Sequence, residues 1–427
     1  MKLALRKLLS LTFTHLATFA FPLAFAVVCG RVLGVHNYGI VSFYTALAAF
    51  LGVVIEFGFD WLGIREVAQA GDDPAQRGRI LWNVTAAKLL LCLIACGGVA
   101  AAVLGSRGLD QAPFVLAMVA FLLGFALDIG WYLRALERVQ PLLLMTAFTR
   151  AAGVGVLLLA VVHPSDMAAA LWSYAFVSLC QAVCGWATLL HHRLAGPPCV
   201  EWRSIVGLMR KSWAILFGNL NGALLTNGGV ALLGMLGDPA TVGAANLALR
   251  VKMAGQAALL PINQLGYVRL SALARSDRAQ ALRVGRISLA ALMTLSSVIG
   301  LAIVWLAPSI VQYVFRADVP LAVGLIMLLG LSVPVNAAAG LLGMQSLIAF
   351  GREQSYALIV AVSALVFCGL LLTLRGELAY GWSLLGAESA MAVMAALRLR
   401  AVLIEEAACP PAALGGPPAA RSAEALG

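Results

Sequence analysis

The sequence predicts an all-α polytopic membrane protein, with about twelve transmembrane helices in two six-helix lobes. Three observations carry this reading. The 427 residues are 62% hydrophobic and only 11% charged, with a mean hydropathy of +0.95, where soluble domains carry about 25% charge. Apolar runs of about 20 residues, enough to cross a hydrocarbon core about 30 Å thick, recur along nearly the whole chain. Two stretches half a chain apart share one motif and one spacing. A soluble fold of this size with so few charges would have no surface to offer water.

The first run follows a basic start, "MKLALRK", and could pass for a signal peptide. It is longer than a signal peptide's apolar region and many more runs follow, so it reads as a retained first helix. In order the runs are 8–30, 38–62, 80–104, 113–133, 141–162, 167–190, 213–236, 242–265, 284–307, 320–344, 356–374 and 377–397. The connections on one side hold four cations, Arg31, Arg107, Arg316 and Arg375. The inner segments hold twenty, among them Arg65, Arg77, Arg134, Arg203 and Lys211. The positive-inside rule then places both termini in the cytoplasm. The net charge of +10 is a topology signal spread over seven inner segments and not a nucleic-acid-binding face. The lobes run over 1–195 and 213–400, joined by a cytoplasmic linker at 196–212. The stretch 401–427 ends in a Pro/Ala/Gly-rich sequence that reads as a disordered tail.

Eight cysteines are present and none forms a CxxC pair. Cys92/Cys96 and Cys180/Cys184 have helical i,i+4 spacing, which suits small packing residues better than a disulfide or a metal site. No P-loop, dinucleotide fingerprint or HExxH motif is present, so no cofactor is expected.

The repeat lies in the connections. "RVLGVHNYGIVSFY" joins helices one and two, and "GMLGDPATVGAANL" joins helices seven and eight. Each has Leu-Gly, a short polar turn, then Gly and the next helix. Gly39 to Arg65 and Gly243 to Arg269 are both 26 positions apart. Two six-helix halves in one orientation follow, an arrangement that places a transport path between them.

Four cations remain inside spans: Lys88, Arg150, Arg250 and Lys252. A cation at mid-bilayer costs at least about 2.5–3.5 kcal/mol if it faces lipid, so these must face protein, water or an anion. At a rise of about 1.5 Å per residue, each lies roughly 10–14 Å deep. Buried acids are Glu56, Asp60, Asp128 and Glu388. Two readings stay open for each cation: a structural ion pair with one of these acids, or a water-filled cavity with cationic bias. Arg250 and Lys252 are two residues apart and point roughly 200° apart on a helix, so both cannot face one small site. Arg250 is favoured for the cavity, with Lys252 paired to a neighbouring helix or snorkelling. Asn219, Asn221 and Asn227 on helix seven, and Gln256, Asn263 and Gln264 around Pro261 on helix eight, read equally as interhelical glue or as sugar-hydroxyl partners. Pro22 and Pro334 would kink helices one and ten.

At "RVLGVHNYGIVSFY", "EFGFDWLGIREVAQ" and "PINQLGYVRLSALA" the chain resembles the bacterial polysaccharide-unit flippases. These are the Wzx/RfbX-type members of the multidrug/oligosaccharidyl-lipid/polysaccharide exporter superfamily. The resemblance covers helices one to twelve; the first two motifs are specific in combination, and each alone is weak. It implies an inner-membrane transporter, not an enzyme. Such a protein moves undecaprenyl-pyrophosphate-linked oligosaccharide repeat units from the cytoplasmic to the periplasmic leaflet by alternating access, for O-antigen or exopolysaccharide. Partners would be the bilayer and the polymerase and chain-length proteins of the same pathway. On that reading Lys88, Arg150, Arg250 and Lys252 meet the pyrophosphate, and Asn219, Asn221 and Gln256 meet sugars. Asp60, Asp128 and Glu388 couple ions or form ion pairs.

Rival functions have distinct requirements. A multidrug exporter of the same superfamily takes amphipathic cations, which excess positive charge disfavours. A lipid II flippase usually carries two further helices. A membrane polymerase or ligase needs a sizeable outer loop, whereas the outer connections here hold only about 5–13 residues by the run boundaries above.

Overall fold

The computed structural model describes residues 2–194, 196–260, 263, 266 and 278–408, and of residues 2–19, 104, 106, 107, 109, 278, 279, 281, 282 and 405–408 the backbone alone. Among the described residues there is no strand. Eight helical stretches are long and apolar enough to cross a bilayer, and one of them, Ala20–Gln69, has 50 residues and holds two spans. Three further spans complete the expected twelve. Their hydropathy is diluted by polar residues such as Asn219, Arg250, Lys252 and Glu388. Leu159, Trp305 and Leu93 are 83%, 80% and 72% exposed, as a lipid-facing surface requires.

The helices are α1 (Lys2–Glu56), α2 (Phe59–Gln69), α3 (Pro74–Arg107), α4 (Ala112–Ala126), α5 (Gly130–Ala135), α6 (Val139–Ala160) and α7 (Met167–His191) in the first half. The second half has α8 (Trp202–Ala223), α9 (Gly229–Leu236), α10 (Pro239–Ala257), α11 (Arg278–Phe315), α12 (Pro320–Ala339), α13 (Glu353–Thr373) and α14 (Ala379–Ala408). Within the first half, α4 packs on α7 and α6 on both α7 and α1. Within the second, α12 packs on α10, α11 and α14. The main contact between the halves is α1 against α10.

One break falls in an expected connection and four fall inside expected spans. Gly34, at φ 76, divides α1 into the first two spans. Phe57 and Gly58 both have positive φ and part α1 from α2. Residues 127–129 part α4 from α5, so the run expected over 113–133 is two helices. The seventh span passes through a π-helical turn, Leu224–Gly228, in which Thr226 has φ −116 and ψ −105. A second π turn, Gly340–Leu347, follows α12 and its Pro334. Breaks at this depth free backbone groups that only protein or a water-lined cavity can satisfy.

Two boundaries differ from expectation. The linker placed at 196–212 is helical from Trp202, because Ile205 and Leu208 bury against the first half beside Leu81 and Val67. The last helix runs to Ala408, into the stretch expected as tail, because Val402 is fully buried with Ala395 and Leu347. The tail from Cys409, Pro261, Gln264 and Arg269 lie outside the described residues, as does nearly all of the third resemblance motif.

The two copies of the repeated motif touch each other. A Cβ on Gly39 would run into the Pro239 carbonyl, and one on Gly243 into the Val35 carbonyl. Both pairs relate equivalent positions, since 243 follows 39 by the same interval as 239 follows 35. The crossing is therefore reciprocal about a pseudo-twofold axis, with glycines admitting close backbone approach. Asp238 caps α10 by accepting from Ala240 N at 2.9 Å, with Pro239 in the first turn, which anchors the crossing. Around it, Asn246 Nδ2 donates to Tyr38 Oη at 3.2 Å and Ser42 Oγ at 2.8 Å. Arg31 Nε donates to the Tyr313 carbonyl at 2.9 Å, and its guanidinium lies 3.9 Å from the Tyr313 ring centroid. The side carrying residues 31–39 and 237–243 is thus closed. Gly39→Leu overpacks the crossing, at about 1–3 kcal/mol. Spin labels on the 31–37 and 237–241 connections are expected to move apart, read by pulsed electron resonance.

Candidate functional site

Three groups of polar residues lie at membrane depth. The first gathers at the breaks of the second and fourth spans. Asp60 sits in the first turn of α2, where the helix dipole favours a carboxylate. It takes Lys88 Nζ at 2.8 Å on one oxygen and an Arg134 guanidinium nitrogen at 2.8 Å on the other. Glu56 hydrogen-bonds Asp60, and Asp128 has Lys88, Asp60 and Arg134 as its charged neighbours. One Asp128 oxygen is buried without a hydrogen-bond partner among the described residues. Half-helices α2 and α5 lie side by side, so each brings an aspartate from its N-terminal end to the same place. Lys88 is thereby held in an ion pair and does not line an open cavity. Arg134, expected as a simple inner-loop cation, is part of this cluster. Only the fold back at residues 127–129 brings it there.

The second group ties three helices of the second half together. Lys252 Nζ meets Glu388 Oε1 at 2.6 Å, with side-chain exposures of 3% and 5%. Asn336 Nδ2 donates to the same oxygen at 2.9 Å, and Gln256 Nε2 donates to Asn336 Oδ1 at 2.9 Å. Lys252 and Gln256 come from α10, Asn336 from α12 and Glu388 from α14. Lys252, for which the sequence left open an anionic ligand or a pairing with a neighbouring helix, is buried against Glu388 here, and Gln256 faces an amide. Asn336 was missed; its signal was an amide two residues past Pro334 inside an apolar span.

The third group is the seam between halves. Gly243, Asn246 and Arg250 follow one face of α10 at i, i+3 and i+7. Gly243 makes the backbone crossing and Asn246 the hydrogen bonds to Tyr38 and Ser42, so Arg250 lies about one turn deeper than the last seam bond. It interacts electrostatically with Tyr38 and Tyr380, both fully buried. Among the described residues it makes no ion pair. Arg150 on α6 is likewise without an ion pair there, and its Nε is buried and unpartnered. The four deep cations therefore divide into two lysines held in ion pairs and two arginines without one among the described residues, Arg150 having Asp128 as its acidic neighbour.

The seventh span borders this region. Below the π turn, α8 leans on the first half: Lys211 Nζ meets Glu66 at 2.7 Å, and Trp213 lies 5.8 Å from Phe57 between ring centroids. Gly228, the last residue of the turn, and Gly234 above it sit against the rings of Phe50 and Phe43. Asn221 donates to its own helix at the Phe217 carbonyl, 2.8 Å away, and Asn219 is half-buried. Asn227 in the turn has a buried, unpartnered Oδ1 among the described residues. No group of three metal-ligating side chains occurs among the described residues.

Comparison with known proteins agrees with this architecture. The chain is 24% identical over 281 residues to a Shigella dysenteriae protein named "Putative O-antigen transporter", covering 65% of this chain and 70% of that one. It is 22% identical over 367 residues to the protein of the same name from Escherichia coli strain K12, covering 86% and 88%. Among solved structures, the inward-facing conformation of a multidrug resistance MATE family transporter of the MOP superfamily matches with a TM-score of 0.72 at 13% identity, covering 92% of this chain and 96% of that one. The outward-facing conformation of such a transporter scores 0.54. The inward closed lipid II flippase MurJ scores 0.62 at 10% identity, covering 93% and 86%. The fold is that of these solved transporters. The model of the family described as polysaccharide biosynthesis protein matches residues 4–267, more than half of the chain, and the protein belongs to that family.

Proposed function

We propose that the protein moves an undecaprenyl-pyrophosphate-linked oligosaccharide repeat unit from the cytoplasmic to the periplasmic leaflet by alternating access, serving O-antigen or exopolysaccharide assembly. The observation that carries this reading is Arg250. It lies beneath the closed seam between the halves, at membrane depth, without a counter-ion among the described residues. An uncompensated cation there is costly unless an anion or water meets it. A diphosphate crossing the membrane has the complementary cost. Arg250, with Arg150 on the first half, offsets the desolvation of that diphosphate, and guanidinium groups suit phosphate oxygens through paired N–H donors. Asn219, Asn221 and Asn227, on the span that borders the path, are placed to meet sugar hydroxyls. Lys88 and Lys252 act by holding the helices beside the path, and Asp60 and Glu388 by neutralising them. Asp128 and Glu388 each keep one buried oxygen without a hydrogen-bond partner among the described residues, and Asp128, which makes no ion pair there, is the acid that would take up a coupling ion.

Both termini lie in the cytoplasm on this reading, with the polymerase and chain-length proteins receiving the product on the far side. Export of amphipathic cations is disfavoured, because the two deep charges without an ion pair among the described residues, Arg150 and Arg250, are positive. The test is reconstitution in vesicles with a fluorescent lipid-linked oligosaccharide and an impermeant quencher or glycan-binding probe. Exchange of labelled lipid between leaflets, dependent on the protein, is expected. Export of cationic dyes without oligosaccharide movement would overturn the proposal.

A further inference from the structure

An apolar groove of about 450 Å³ opens between the second, third and seventh spans, in the membrane half nearest the closed side. Phe43, Leu47 and Leu51 line one wall, Gly98 and Ala102 on α3 the opposite wall, and Met235 on α9 the end. Because α9 belongs to the second half and α1 and α3 to the first, the groove lies in the interface between the halves. The first three residues recur every four positions along α1, so they form one stripe. Ser42 and Tyr38, which face Asn246 on α10, lie on the neighbouring face of the same helix. The groove and the seam above Arg250 are thus adjacent faces of one span. The other side of the interface is filled: Gly30 packs against Phe315, and Arg31 lies over Tyr313.

We infer that this groove holds the polyprenyl tail of the lipid-linked substrate while its diphosphate is at Arg250. The inference rests on the proposed function and specifies where the tail lies. A covalently joined head and tail need a polar path and an apolar path that run side by side. An opening in the interface between the moving halves supplies that, and an annular lipid site on one half does not. The wall on α3 is built of small residues, "ACGGVAAAV" over 95–103, which keeps it smooth and wide. A Cβ on Gly98 would meet nothing within 4 Å, so a side chain there fills the groove without disturbing the core.

The test compares Gly98→Phe with Gly97→Phe. Gly97 is also exposed, and a Cβ there also meets nothing within 4 Å, but it does not line the groove. In vesicles, Gly98→Phe is expected to lose tenfold or more of the oligosaccharide-lipid exchange rate at wild-type abundance, while Gly97→Phe retains it. A polyprenyl-phosphate probe with a diazirine on its tail is expected to label residues 95–103 of the wild type. Equal labelling by a diacyl phosphatidylethanolamine diazirine, or full activity of Gly98→Phe, overturns the groove assignment. If the wild type itself moves no lipid-linked oligosaccharide, the proposed function fails instead, so the two failures are separate.

Discussion

Lys252→Met destabilises the protein by about 3–5 kcal/mol, the largest effect expected of any single substitution here. The pair it breaks is almost completely buried, and the remaining Glu388 carboxylate would keep only the Asn336 amide as a donor. Removing one partner of a buried pair leaves a charge that neither water nor protein compensates, and that penalty exceeds the loss of the contact itself. Glu388→Leu combined with Lys252→Met removes both charges and is expected to recover most of the stability, since apolar side chains of similar volume replace a buried pair at little cost. Thermal unfolding of the detergent-solubilised protein, followed by size-exclusion fluorescence, measures both variants. A single variant as stable as the wild type would show that Lys252 does not depend on Glu388. A double variant as unstable as the single would assign the loss to packing.

Arg250→Ala loses transport by about ten- to a hundredfold while leaving stability close to wild type, the second large effect. A hydrogen bond to a charged group contributes about 1.5–3 kcal/mol, which sets this range. Unlike Lys252, Arg250 has no acid to strand, so its removal leaves no new buried charge among the described residues. The two neighbouring cations of α10 are therefore expected to separate by assay, with Lys252 read out in stability and Arg250 in transport. Arg250→Lys retains the charge but not the fork of donors, and should fall between wild type and Arg250→Ala. Vesicle exchange rates beside melting curves decide this. Full transport by Arg250→Ala would remove the anion role.

The spans were legible because burial in lipid demands long apolar runs, and a hydropathy window detects them directly. The breaks were not. Phe57–Gly58, residues 127–129 and the turn at Thr226 lie inside runs whose average hydropathy hides a local change of backbone. The angular opposition of Arg250 and Lys252 followed from helix geometry alone. Which acid held Lys252 did not, because Glu388 lies 136 positions away and no periodicity links them. Arg134 was assigned to a loop by its place at the end of a run. Only the paired half-helices reveal that it reaches Asp60. Asn246 drew no attention in sequence, yet it makes two of the hydrogen bonds that join the halves. The repeat showed that the halves are related, but contact between its two copies is a property of the folded pair.

The seam around the Gly39–Gly243 crossing has a thermodynamic consequence. Its cross-seam hydrogen bonds are Asn246 to Tyr38 and Ser42 and Arg31 to the Tyr313 carbonyl. At about 0.5–1.5 kcal/mol for each neutral bond and about 1.5–3 kcal/mol for the one from Arg31, they amount to only a few kcal/mol. A ligand must discriminate between two states by about 5.5 kcal/mol to carry a population from 1:99 to 99:1. A latch of this size sits inside the range that one diphosphate on an arginine fork can overcome. On the proposed function, occupancy of the site by that diphosphate would therefore decide which face of the molecule is open.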